Sequence, residues 1–206
     1  MIKNSDLFKL DNNPLKKLFD RFTYPYEILP HIEDYIFELG KKLNKDYEHK
    51  GNVWIHKSVK IGSGVEIIGP AIIMENVTLR HNAYIRENVI VGPNSVVGNS
   101  CEIKNSILLS HCEVPHFNYV GDSILGDHAH WGAGVILSNL RLDKKNIKIN
   151  HEDTNLRKIG AFIGDYVQIG CNSVLCPGTI IYPNTIIYPN SVIKGINNKD
   201  IRIERL

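Results

Sequence analysis

Residues 73–102 read IMENVTLRHNAYIRENVIVGPNSVVGNSCE, five blocks of six residues: IMENVT, LRHNAY, IRENVI, VGPNSV and VGNSCE. The first position is always Ile, Leu or Val, and the fifth is Val, Ala, Val, Ser and Cys in turn. An amphipathic helix would space its apolar residues by three and four, and an amphipathic sheet would alternate over longer strands. A period of six with Gly, Asn and Pro at turn positions is the signature of a hexapeptide β-helix. The rhythm reaches back to Ile55 through IHKSVK, IGSGVE and IIGPAI, and forward through IKNSIL, LSHCEV and PHFNYV. In this phase Pro115 falls on an inward position, and Glu113 and Tyr119 fall on small ones. A four-residue shift then lies between Pro115 and Leu125. The blocks LGDHAH, WGAGVI and LSNLRL follow, and a third run from IGDYVQ to IYPNSV comes after a long excursion. Regular repeats make scaffold. The disturbed stretch, Ile103–Asn139, is therefore where side chains are expected to be freed for chemistry.

At 206 residues the chain can hold one sizeable domain with a small appendage. A formal charge of +2 favours neither nucleic acid nor a membrane surface as partner. No apolar run approaches the roughly 20 residues of a membrane helix, and MIKNSDLFKLDNN has no apolar signal core, so a cytoplasmic location is expected. Cys101, Cys112, Cys171 and Cys176 are scattered without a CxxC pair, which fits a reducing compartment; no bound metal is expected.

Residues 1–50 have a different texture. Asn13-Pro14 reads as a helix start leading into LKKLFDRF, and PHIEDYIFELGKKLNK places Ile32, Tyr35, Ile36, Leu39 and Leu43 on one helical face. Gly40 weakens that helix slightly. The segment is expected to be a helical cap over the first turn, because terminal repeats leave an apolar face open. The remainder, 51–206, is the repeat domain, with a long loop at about 140–161.

Positions 18 apart stand one coil apart on the same face. Arg86 and Lys104 are such a pair, and two cations about 5 Å apart suit an intervening phosphate. The alternative is a pair of solvated side chains at an edge. His116 is phased to project outward.

The repeats resemble the hexapeptide-repeat acyltransferases, whose fold is an all-β, single-stranded left-handed parallel β-helix, usually trimeric with sites between subunits. The segment with EIKNSIL, VPHFNYVGDS and GAGVILSN is similar to the acetyltransferase half of bifunctional N-acetylglucosamine-1-phosphate uridyltransferase. The likeness covers about 55–195. It implies acetyl transfer from acetyl-CoA to glucosamine 1-phosphate, galactosamine 1-phosphate or a nucleotide-linked amino sugar. The glycine-rich nucleotide loop of the uridyltransferase half is missing, so acetyl transfer alone is expected. Carried over by position, His116 is the general base. Arg86, Lys104 and Lys145 hold phosphate, and Tyr119 and Asn139 contact the sugar. His130 stands where the family has an asparagine, and Leu140 replaces a tyrosine, which leaves the sugar open. Ala133 and Cys171 lie along the acetyl-CoA arm.

An amine must lose a proton to attack a thioester, and an imidazole titrates in the right range to accept it. A backbone N–H near the GAG turn would stabilise the oxyanion. Cys112 reads as a small packed residue, not a nucleophile. Tail residues Lys199, Arg202 and Arg205 read as a surface face, with CoA phosphates as the alternative. A zinc hydratase using His111 and His116 is the rival from another class, but His81 lies 30 residues before His111, which is not a whole number of coils. A non-catalytic assembly subunit is the third reading.

Overall fold

The computed structural model describes residues 2–11 and 13–197; the tail cations Lys199, Arg202 and Arg205 lie outside the described residues. From residue 53 onward each hexad supplies a short strand and then a corner. The corner residue sits at left-handed φ, for example 57° at Asn76, 59° at Asn82, 61° at Asn88 and 59° at Asn94. Asparagine tolerates that region better than most side chains, which is why it recurs there.

The strands stack into three faces. The first has nine strands, from Tyr47–Lys50 to Ile196–Asn197, and the second has seven, from Lys60–Ile61 to Ile186–Ile187. The third has four strands, Glu66–Ile67 to Tyr119–Gly121, and then three more, Ile136–Leu137 to Val192–Ile193. Coil-to-coil pairing is parallel; Val53 pairs with Ala71 and Ala71 with Val89, 18 residues each time. The result is a left-handed parallel β-helix of about eight coils. Its interior is a column of apolar side chains running from Ile73 through Trp131 to Ile193.

The register corrects the phase read from the sequence. Val89 pairs with Ser106 and Ile107 with Ile124, so these coils are 17 residues long. Two hexads have lost one residue each, at 103–107 and 120–124. Ile103, Leu108, Val114, Val120 and Leu125 all point inward and are fully buried. Pro115 is therefore not inward; it follows Val114 and stacks over Gly98 of the coil below. The small positions are Ser106, Cys112, Asn118 and Ser123, all buried, and Glu113 and Tyr119 break nothing. His116 is the third residue of its hexad, still exposed.

The first face is apolar on both surfaces. Its outer side carries Ile72, Ile90, Ile107, Ile124, Phe162 and Ile180, and this stripe needs cover. Helices α1 (Asn4–Leu7), α2 (Lys16–Phe19), α3 (Pro25–Ile28) and α4 (Ile32–Gly40) supply it. The segment thus lies along the flank of the β-helix, not over its first turn as a cap. The first parallel strand of this face, Val53–His56, is instead edged by Tyr47–Lys50, which runs antiparallel to it. Ile32, Tyr35 and Ile36 are buried, Leu39 and Leu43 half-buried. Gly40 is needed where it stands, because a Cβ there would fall 2.5 Å from the Trp54 indole. Asp165 ties the segment down: its carboxylate accepts from the Lys9 backbone N–H at 2.7 Å, and its own N–H donates to Leu7 O.

The excursion folds on itself. Lys148–Ile149 and Glu152–Asp153 form a small antiparallel hairpin, and Ile147 and Ile149 are buried with the outer stripe of the first face. Its charged residues, Lys144 and Lys145 among them, remain exposed.

A Cβ at Gly98 would meet the Pro115 carbonyl carbon and oxygen, backbone atoms of the next coil that cannot rotate away. Gly98→Ala is expected to cost about 3 kcal/mol of stability, measured by urea unfolding, through overpacking.

Candidate active site at the third face

The corner between the third and first faces gathers the polar residues. Arg86 and Lys104 stand in register one coil apart, since Glu102 pairs with Tyr84 and Ile103 with Ile85. Arg86 Nη1 donates to Glu102 Oε1 at 2.9 Å, and its Nε lies 3.3 Å from Glu87 Oε2. Lys104 Nζ is 3.7 Å from Glu87 Oε1 and 3.8 Å from Asp122 Oδ1. The expected anion between two cations is therefore partly supplied by the protein itself, as Glu87.

Above them, Asp122 is nearly fully buried and well partnered. Asn105 Nδ2 donates to its Oδ1 at 2.8 Å and Asn139 Nδ2 to its Oδ2 at 2.6 Å. Asn139 Nδ2 also reaches Tyr119 Oη at 3.1 Å. Tyr119 folds its ring across Gly121, where a Cβ would fall 2.2 Å from the hydroxyl. Four of the six substrate residues read from sequence, Arg86, Lys104, Tyr119 and Asn139, are thus brought together. Glu87, Glu102, Asp122 and Asn105 are partners the sequence reading missed.

The charges set each other's ionisation. Burial pushes the Glu87 carboxyl up, but its own backbone N–H and the Arg86 and Lys104 charges outweigh this and hold it below the ordinary value. Its stabilising contribution is then complete above the ordinary carboxylate range and is lost as pH falls through its lowered pKa. Burial, and then the Asp122 charge, push the Tyr119 phenol up, so it stays a hydroxyl at neutral pH.

His116 stands on the preceding corner, between the second and third faces. The chain from His116 to Asp122 crosses the third face through Tyr119–Gly121, a span of at most about 20 Å if extended. Its ring is exposed, beside Phe117, which is 61% exposed at a left-handed φ of 52°. A bulky residue at positive φ is costly. The same edge carries Ala133 and Cys171 on the coils above: Gly134 N–H donates to His116 O at 3.0 Å, and Asn172 N–H to Ala133 O at 3.0 Å. A Cβ on Gly132 would lie 2.6 Å from the Cys171 backbone nitrogen, so the GAG turn is held glycine by the close approach of the next coil.

Between the two corners the third-face ladder is interrupted, and a groove of about 280 Å³ opens between Tyr119 and Ile136. Glu102, Phe117, Asn118 and Val135 also line it. Asn118 Oδ1 accepts from Val135 N–H at 2.7 Å, while its buried Nδ2 has no partner among the described residues.

Two expected substrate residues are elsewhere. His130 lies on the second face, paired in register with Glu113 and Gln168. Lys145 is exposed in the excursion, tied through its backbone N–H to Asp143 Oδ1 at 3.2 Å. Cys112 is fully buried, and burial pushes its thiol far up, as a packed residue and not a nucleophile would have it.

Residues 67–194 match the family described as the GMPPB C-terminal domain. The chain belongs to that family. Among curated relatives, the bifunctional sugar-1-phosphate nucleotidylyltransferase/acetyltransferase of Sulfurisphaera tokodaii is 39% identical over 84 residues, which is 39% of this chain and 21% of the relative. Bifunctional protein GlmU of Methanococcus maripaludis is 42% identical over 83 residues, 39% of this chain and 20% of the relative. The chain spans about a fifth of the length of these relatives. Among solved structures, the acetyltransferase domain of PglB from Neisseria gonorrhoeae aligns at 15% identity and a TM-score of 0.31, covering 80% of this chain and 63% of that one. The resemblance to the uridyltransferase–acetyltransferase proteins read from the EIK, VPHFNYVGDS and GAG elements holds. Among the described residues of this GMPPB C-terminal domain family member, no helix is long and apolar enough to cross a membrane.

Replacing Asp122 by Ala strands the amides of Asn105 and Asn139 in a buried corner. Asp122→Ala is expected to lose about 2–3 kcal/mol in urea unfolding. The single change Asn139→Ala should cost less, because the carboxylate keeps Asn105.

Proposed function

We propose that this chain is an acetyl-CoA-dependent N-acetyltransferase acting on an amino-sugar phosphate, glucosamine 1-phosphate or galactosamine 1-phosphate. The observation that carries the reading is the corner where Arg86, Lys104, Tyr119 and Asn139 converge, next to the edge that bears the exposed His116. The names of the curated relatives, which include nucleotidylyltransferase/acetyltransferase, support the same reaction class.

Arg86 and Lys104 hold the sugar phosphate, sharing their charge between it and Glu87. Tyr119 and Asn139 orient the ring by hydrogen bonds to its hydroxyls. The amine nitrogen attacks the acetyl carbonyl as His116 takes its proton, the C–S bond breaks, and CoA leaves as the thiol after receiving that proton. Ala133 and Cys171, stacked on the coils above His116, flank the pantetheine arm. Positioning supplies much of the rate, because the corner fixes the acceptor before the donor arrives. His130 and Lys145, remote from this corner in one chain, join it from neighbouring copies in a homotrimer with sites between subunits. Nucleic acid and membrane are not partners, and the protein works in the cytoplasm, where its four free cysteines stay reduced.

The test is acetyl-CoA consumption by the full chain across amino-sugar phosphates and nucleotide-linked amino sugars. One amino-sugar phosphate should be turned over, and His116→Ala should lower kcat/KM by about 10²–10⁴-fold, the range of a lost general base. Undiminished turnover by that variant removes His116 from the chemistry. Preference for a nucleotide-linked sugar reassigns the acceptor.

A further inference from the structure

The remaining edge, between the first and second faces, carries two histidines at successive corners. His111 and His128 both sit at φ 57°, and their rings stack with centroids 4.3 Å apart at 15°. Both turn the same nitrogen toward one carboxylate. His111 Nδ1 lies 3.4 Å from Asp127 Oδ1, and His128 Nδ1 lies 2.8 Å from Asp127 Oδ2. Ligand atoms of the three residues all fall within 4.8 Å of one another. Donors bound about 2.1 Å from one tetrahedral ion stand roughly 3.4 Å apart, so the distances suit an ion, and the two rings must tilt out of their stack to aim both in-plane lone pairs at it.

Two further features fit a cation. The Asp127 backbone is pinned, its N–H donating to Asp165 Oδ1 at 2.8 Å. The Tyr166 ring stacks on His128 at 4.7 Å and 10°, covering one side of the pair. The His111 and His128 side chains are 45% and 43% exposed, so water can fill the remaining coordination positions.

We propose that His111, Asp127 and His128 form a surface site for a divalent transition ion of borderline softness, zinc first, bound by two imidazole nitrogens and one carboxylate oxygen. The site is separate from His116, which stands on a different edge. It clamps two successive coils next to the Asp165 anchor of the N-terminal segment.

Zinc sulfate titrated into the full chain at pH 7.5 by calorimetry should show saturable binding of a single ion per chain. His111→Asn and His128→Asn should each weaken binding at least tenfold. Asparagine already occupies most other corners at this φ, so both variants keep the coil, and their unchanged melting without metal checks this. Saturating zinc should raise the melting temperature of the wild type but not of the variants. Absence of saturable zinc binding, or undiminished affinity in both variants, overturns the proposal.

Discussion

Everything in this protein hangs on one constraint: successive coils must stack so that each strand meets its parallel neighbour about 4.8 Å away. The ladder demands an apolar side chain inward at each first position and a small one two residues before the next. It also demands a left-handed corner between them. The chain meets that demand in two places with one residue fewer. Both deletions fall at the same corner, between the third and first faces, on consecutive coils. Asn105 and Asp122 take up the shortened turns at φ 44° and 51°. Because the losses are stacked, the register slips by one residue as a unit and no ladder is broken by them. The tightened turns draw Asp122 inward, where Asn105 and Asn139 can reach it.

The electrostatics of that corner follow from its packing. Asp122 is nearly buried and would be costly there as a charge without partners. Two amide donors and the Lys104 ammonium compensate it. Lys104 is in turn shared with Glu87, and Glu87 with Arg86. Such a chain of alternating charges holds long side chains in one geometry before any ligand arrives. The polar cluster is therefore preorganised, its cations already gathered by carboxylates and not scattered in water.

How far the sequence went can be judged residue by residue. The period of six was legible because it is a direct consequence of the stacked ladder, and the Arg86–Lys104 juxtaposition followed from counting 18. The phase was lost just where two hexads shrink to five, since a one-residue deletion in a period of six moves apolar residues onto either assignment: Leu108 and Leu109 are both apolar, and Val114 adjoins Pro115. The burial pattern settles it, with Leu108 and Val114 in the interior and Leu109 in the outer stripe. That stripe also carried an unread signal. Ile72, Ile90, Ile107, Ile124, Phe162 and Ile180 recur on one face alone, announcing that this flank is covered and that the helices lie there. Glu87, Glu102 and Asp122 were invisible as partners because an acid next to a base on paper has no distance.

The three edges of the prism end up with three different tasks. One carries the polar corner with Asp122 and another carries His116 with Ala133 and Cys171 above it. The last carries the stacked imidazoles and the Asp165 tie to the N-terminal segment. A β-helix divides labour this way because residues on one edge recur once per coil and never meet those on the next edge through the packed interior. Chemistry that needs two edges must be joined outside, over a face. The third face is the one whose ladder opens, between Tyr119–Gly121 and Ile136–Leu137, and the groove there adjoins both corners. Asn118 marks its floor: one amide atom replaces a missing ladder acceptor for Val135, and the other has no partner among the described residues. An unpaired buried donor costs roughly 1–3 kcal/mol, so the groove floor is a point of local strain in the fold.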